Sequence, residues 1–150
     1  MNIFNIKLIK INTKYDDKDS LFIAMVENFF DENIIKDKLE FLSVLKTREE
    51  IMSTGIGFGI ALPHARHKTV NELKVAVYIL SEPIDFDSLD GLPVNIVFMV
   101  AIPVKSNNEY MKVLNLISKT LHEDTNRQFF NSTDDEEKIL NFLKELDYET

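Results

Sequence analysis

The sequence predicts a three-layer α/β domain, with helices covering both faces of a central β-sheet. Two nearly unbroken apolar segments, 73–80 and 95–102, are typical of strands that are buried on both faces. Segments with apolar residues at helical spacing come before and after these strands. The length of 150 residues is usual for one compact domain, so we expect a single domain over residues 1–150.

The N-terminal elements follow from local patterns. Alternation of Ile6, Leu8 and Ile11 predicts a first strand near 6–11. The polar segment 16–20 is rich in N-cap residues, and the apolar residues after it predict a helix that ends near Asp31. A second helix is predicted over 36–48, with its apolar stripe formed by Leu39, Leu42 and Leu45, and with Arg48 at its end.

The remaining elements lie on either side of a turn over 83–92. A strand over 73–80 precedes it, and a second strand lies between Pro93 and Pro103, where a sheet tolerates proline. Three C-terminal segments are expected to be helical: 110–121, a short amphipathic piece over 124–131, and a last helix that is capped within 132–134 and buries Ile139, Phe142, Leu143 and Leu146.

Composition excludes several classes of function. The chain has no cysteine, so disulfides, thiol nucleophiles and cysteine metal sites are ruled out. A net charge of −8 without a basic cluster argues against nucleic acid and anionic lipid as partners, and favours a protein partner with a basic face. No apolar run reaches the ~20 residues of a membrane span, so we expect no membrane insertion and a cytoplasmic protein.

The segment STGIGFGIALPHAR, residues 53–66, holds three of the four glycines: Gly55, Gly57 and Gly59. Glycine permits positive φ angles and close approach to the backbone, and alternate glycines could expose N–H groups to an anion. Pro63 fixes its own φ and helps to orient the next residue. The pattern predicts a rigid loop that ends by presenting the imidazole of His64.

A presented imidazole suits nucleophilic phosphoryl transfer near neutral pH. Arg48 is the candidate cation, because a guanidinium binds phosphate oxygens in pairs. The segment is not a nucleotide fingerprint, since it lacks both Gly-Lys-Ser/Thr and GxGxxG. On spacing alone, His64 is more often an ordinary surface or core histidine than a functional one.

The run Arg48-Glu49-Glu50 followed by STGIGFGIALPHA closely resembles the phosphorylation-site region of the type-2 (mannitol/fructose-type) EIIA domains of the bacterial phosphoenolpyruvate-dependent sugar phosphotransferase system. A looser resemblance covers nearly the whole chain. It implies a three-layer α/β/α sandwich on a small mixed β-sheet. It also implies that His64 accepts a phosphoryl group from the phosphocarrier protein HPr and passes it to an EIIB component, with Arg48 holding the group and with no metal or nucleotide.

Two positions depart from that family. Many members carry a second histidine where this chain has Tyr110, whose hydroxyl can donate to a phosphoryl oxygen but carries no positive charge at neutral pH. Tyr110 also lies on an apolar stripe, so packing is the alternative role. Phe58 stands where a polar residue is common; it would be a packing residue, or a docking patch if exposed beside His64.

Other polar residues have structural interpretations. His67 lies three residues after His64, but no carboxylate is near it in sequence to complete a metal site. His122 is placed to stabilise a helix C-terminus. Asp85, Asp87 and Asp90 lack the terminal glutamate of a calcium loop and are interpreted as turn residues.

Two functions remain open from the sequence. The first is a phosphoryl carrier for sugar uptake. The second is a regulatory module of the same fold, in which phosphorylation of His64 controls a partner protein.

Overall fold

The computed structural model describes residues 2–149. A six-stranded mixed sheet contains β1 (Phe4–Thr13), β2 (Gly55–Gly57), β3 (Ile60–Ala61), β4 (His64–Arg66), β5 (Lys74–Ile84) and β6 (Val94–Ile102). The helices are α1 (Lys18–Asp31), α2 (Lys38–Ile51), α3 (Glu109–His122), α4 (Asp124–Ser132) and α5 (Glu136–Glu149). The predicted three-layer α/β/α sandwich on a mixed sheet is confirmed.

The strand order is β1-β5-β6-β3-β2. β4 also pairs with β6, at residues of β6 that follow those paired with β3. β5 runs parallel to β1 and antiparallel to β6, whereas β3 and β4 both run parallel to β6. β5 and β6 are therefore central strands, and their side chains are almost all buried on both faces. This explains why these two segments are nearly unbroken apolar runs in the sequence.

Two apolar clusters fill the spaces between the layers. One lies between the sheet and the pair α1 and α2, around residues such as Phe22, Phe29 and Phe41. The other lies between the sheet and α3, α4 and α5, around Phe98 and Phe130. Each face of the sheet is thus covered, as the sequence predicts.

Several predicted boundaries change in the structure. β1 is longer than predicted, and β5 continues through Pro83 to Ile84, so the predicted turn over 83–92 begins after Ile84. The backbone N–H of Glu137 donates to Asp135, one residue beyond the predicted cap. Asp17 caps α1 through the N–H of Ser20, and α1 ends at Asp31 as predicted.

The buried face of α2 differs from the predicted stripe. Leu45 is buried as predicted and Leu42 is partly buried, but Leu39 is 75% exposed, and the helix buries Phe41 and Glu49 in addition to Leu45. The helix also extends three residues beyond Arg48, to Ile51. Because the third residue of the buried stripe is the charged Glu49, apolar spacing in the sequence does not predict this face.

Candidate functional site

The glycine-rich segment forms short strands in place of a free loop. β2 and β3 make a hairpin whose turn contains Phe58 and Gly59, and β4 follows after Pro63. Gly57 has φ +101° and Gly59 has φ +79°, so both need the left-handed region that glycine adopts freely. Phe58, between them, also has a positive φ of 57°.

The segment does not present an unbroken row of exposed N–H groups. The N–H of Gly55 donates to the Ser53 hydroxyl, and that of Phe58 donates to Asp90. Gly55 serves close packing, because a Cβ there would lie 2.2 Å from Oγ of Ser88. In this hairpin, then, glycine provides turn geometry and room for the loop that carries Ser88.

His64 begins β4 and pairs with Val100 on β6. Its ring is partly exposed, and Nδ1 lies 2.8 Å from the carbonyl oxygen of Leu62. A carbonyl only accepts hydrogen bonds, so the neutral ring that makes this contact holds its proton on Nδ1. Nε2 is then left with a free lone pair, as a nucleophile requires.

Burial lowers the pKa of His64 below its ordinary value of 6.5, and the positive charge of Arg48 lowers it further. The hydrogen bond to Leu62 and the negative charge of Glu49 act in the opposite direction. The net effect favours the neutral imidazole at neutral pH, which is the form that can act as a nucleophile.

Arg48 lies in the last turn of α2, which packs against β4. Its guanidinium donates to the carbonyl oxygen of Met52 at 2.9 Å, just beyond the helix end. Its side chain is partly exposed, and its charge acts on the His64 ring. The guanidinium of Arg48 is therefore close enough to the imidazole of His64 for its charge to lower the pKa of that ring.

Tyr110 lies on the same side of the sheet as His64. It packs at the margin of the cluster under α3, α4 and α5. The guanidinium carbon of Arg66 lies 5.7 Å from its ring centroid. Arg66 is two residues from His64 on β4 and so projects from the same face. Sequence reasoning gave Arg66 no role, and Tyr110 as a phosphoryl ligand stays a prediction.

Phe58 is 54% exposed but does not lie beside His64. Ile60 pairs with Ile96 and His64 pairs with Val100, four residues further along β6. Ile60, which follows the hairpin turn, is therefore displaced from His64 by about 13 Å along the sheet. The ring centroid of Phe58 lies 5.5 Å from that of His122 and 4.5 Å from Cζ of the Arg127 guanidinium. Its observed contacts are therefore at the corner between α3 and α4.

His67 is held by local structural contacts. Its Nε2 lies 3.4 Å from Glu40, and its Nδ1 accepts from the N–H of Thr69. Within residues 2–149, no three metal-ligating side chains come together. None of the helices in that range is long and apolar enough to span a bilayer. The aspartates of 85–90 act in turns, as predicted: Asp85 accepts from the Asp87 N–H, and Asp90 from the Leu92 N–H.

Sequence reasoning missed a buried network behind the site. Glu49 is 8% exposed, and its carboxylate accepts from Lys18 at 3.1 Å and from the N–H and hydroxyl of Thr54 at 2.7 and 2.6 Å. The spacing of Phe41, Leu45 and Glu49, each four residues apart, is the signal that could have revealed it. A glutamate in that stripe must be buried with partners.

Comparison with known proteins decides the family. The model of the family described as "Phosphoenolpyruvate-dependent sugar phosphotransferase system, EIIA 2" matches residues 2–146. The chain belongs to this family. The resemblance seen in the residues around His64 is thereby confirmed for the chain as a whole.

The curated relatives of this EIIA protein include fructose-specific components of the phosphotransferase system. A "PTS system fructose-specific EIIABC component" of Bacillus subtilis is 30% identical over 139 residues, which cover 93% of this chain but only 22% of that protein. A "PTS system fructose-specific EIIA component" of Haloferax volcanii is 31% identical over 120 residues, covering 79% of this chain and 78% of the relative.

Solved structures show the same fold. The nitrogen regulatory protein IIA-Ntr of Neisseria meningitidis superposes with a TM-score of 0.87 and 26% identity, over 92% of this chain and 94% of that one. Enzyme IIA mannitol of Escherichia coli, solved in complex with phosphorylated enzyme IIB mannitol, superposes with a TM-score of 0.81 and 18% identity, over 94% and 98%.

Proposed function

We propose that this EIIA protein, residues 1–150 as one domain, is a cytoplasmic phosphoryl carrier of the sugar phosphotransferase system. It accepts a phosphoryl group from phosphorylated HPr on His64 and transfers it to an EIIB component. The observation that carries the proposal is the contact of Nδ1 of His64 with the Leu62 carbonyl, which leaves Nε2 free. Family membership supplies the reaction class.

In the proposed step, the lone pair of Nε2 attacks phosphorus in line with its bond to the donor atom of phosphorylated HPr. A new N–P bond forms on His64, the bond to the donor atom breaks, and the donor atom recovers its electron pair. The ring of His64 keeps its Nδ1 proton and becomes a phosphoimidazolium. The Leu62 carbonyl stabilises the positive ring, while Arg48 stabilises the phosphoryl oxygens. In the transfer to EIIB, a nucleophile of EIIB attacks the phosphorus and forms a new bond to it, while the N–P bond of His64 breaks and Nε2 recovers its lone pair.

The test is phosphoryl labelling with phosphoenolpyruvate, enzyme I and HPr. Wild-type protein should acquire acid-labile, base-stable phosphate, and His64→Ala should acquire none. His67→Ala is the matched control and should be labelled normally, because that ring is held by Glu40 and Thr69. Label that persists in His64→Ala would remove the proposed site.

A regulatory role is the second candidate, and the similarity to a nitrogen regulatory protein favours it. Both roles use the same phosphorylation of His64 and differ in the fate of the phosphoryl group. If the phosphorylated protein loses its label to EIIB and then to sugar, it is a transport component. If label stays on it in the presence of EIIB and fructose or mannitol, the regulatory role is supported.

A further inference from the structure

Glu49 is a carboxylate buried at the end of α2, on the face that packs against the sheet. Both of its oxygens are bonded: Oε2 accepts from Lys18 and from the backbone N–H of Thr54, and Oε1 accepts from the Thr54 hydroxyl. A carboxylate held by three hydrogen bonds, with both oxygens engaged, has a fixed position. Thr54, also buried, is consequently fixed relative to α2.

The network continues from Thr54 to the candidate nucleophile. The carbonyl oxygen of Thr54 accepts from the N–H of Leu62 at 3.0 Å. The carbonyl oxygen of the same Leu62 accepts from Nδ1 of His64 at 2.8 Å. Four residues thus link the helix that carries Arg48 to the ring of His64.

We propose that Glu49 is a positioning residue, which fixes Leu62 through Thr54 so that its carbonyl holds the proton of His64 on Nδ1 and keeps Nε2 free. The inference rests on the proposed function, in which Nε2 receives the phosphoryl group. Glu49 does not touch the phosphoryl group in this scheme. It sets the tautomer and direction of the ring that does.

Lys18 has a matching role in charge balance. It comes from the first turn of α1, and its ammonium also donates to the carbonyl oxygen of Phe86 and lies 4.4 Å from that residue's ring centroid. An unpaired carboxylate near the site would repel a phosphoryl dianion and would be costly to bury. The ion pair with Lys18 allows Glu49 to hold Thr54 without that repulsion.

The decisive variant is Glu49→Gln. Its side chain offers one acceptor oxygen to the two Thr54 donors, and its amide N–H groups cannot accept from Lys18. Glu50→Gln is the matched control, because it makes the same chemical change one residue away on an exposed side chain. Thr54→Val is the second variant: it removes only the hydroxyl bond and keeps the Lys18–Glu49 pair.

Two readouts are needed. Nitrogen NMR of the three imidazoles, with the His64 signal assigned by its loss in His64→Ala, gives the fraction protonated on Nδ1 without any phosphorelay. Phosphoryl transfer from HPr, followed at several HPr concentrations, gives kcat and KM. Circular dichroism checks that each variant is folded at the assay temperature.

In Glu49→Gln we expect the His64 ring to become a mixture of tautomers and kcat to fall about tenfold or more, with KM for HPr within about twofold. Thr54→Val should change both readouts in the same direction by less, and Glu50→Gln should match the wild type. The inference is overturned if Glu49→Gln and Thr54→Val behave as Glu50→Gln does. Where the wild-type protein takes phosphate from HPr, a change in only one readout, with the other unaltered, overturns the inference too.

The proposed function and the positioning role fail in different ways. If wild-type protein takes no phosphate from HPr, the proposed function fails. The tautomer of His64 in Glu49→Gln still decides whether Glu49 positions the ring.

Discussion

Replacement of Gly55 by alanine tests whether close packing of the hairpin against the 88–90 loop stabilises the fold. The new Cβ would lie 2.2 Å from Oγ of Ser88, 3.0 Å from its Cβ and 3.2 Å from its Cα. Rotation about χ1 of Ser88 could move the hydroxyl, but the other two atoms follow the backbone. Overpacking of this kind costs about 1–3 kcal/mol. The smaller unfolded-state entropy of alanine returns only about 0.4–1 kcal/mol.

We therefore expect Gly55→Ala to lower the free energy of unfolding by about 1–2 kcal/mol, measured by urea denaturation. Ser88→Ala alone should be neutral or stabilising, because its buried Oγ has no hydrogen-bond partner among the described residues 2–149. The double variant should recover part of the loss, since the shortest contact is gone. A Gly55→Ala protein as stable as the wild type, or one that Ser88→Ala does not improve, would refute the packing argument.

Three further predictions concern charge and protonation. Arg48→Met should raise the pKa of His64 in an NMR titration and slow phosphoryl transfer about 10- to 100-fold, since a charged hydrogen bond is worth about 1.5–3 kcal/mol; an unchanged pKa and rate would contradict both roles. The pKa of His64 is lowered in the folded protein, so the stability that its neutral ring contributes should be complete above pH 6.5. That stability should be lost as pH falls through the pKa of the folded state. In urea denaturation, His64→Gln should not show this loss. Burial raises the pKa of Tyr78 to about 12, so its contribution to stability should be present below pH 10 and be lost as pH rises through 12, and Tyr78→Phe should show no such loss.

Strand identity was predictable from the sequence where burial on both faces left an unbroken apolar run, as in β5 and β6. A helix cap within 16–20 was also predictable, because capping chemistry is local, and the structure shows that Asp17 provides it. The buried face of α2 was not, since its third member is the charged Glu49 and the exposed Leu39 lies on a competing spacing. Which face a helix buries is decided by what it packs against.

In the site, too, the residues of a local motif were predictable, whereas contacts between elements were not. The family motif gave His64, Arg48 and the glycines, but the relation between His64 and Phe58 depends on strand register. They are six positions apart in sequence, yet the hairpin places Phe58 at the α3–α4 corner. The Glu49–Thr54 contact likewise joins the end of α2 to the start of β2. Contacts of this kind become visible only when the chain is folded.

The nitrogen that carries phosphorus on His64 is the most direct test of the account. After phosphorylation by HPr, ¹⁵N-labelled protein should show coupling between phosphorus and Nε2 of His64, with Nδ1 still bearing its proton. Coupling to Nδ1 would contradict the account, because that nitrogen is the one held by the Leu62 carbonyl. Coupling to a nitrogen of His67 or His122 would contradict it equally.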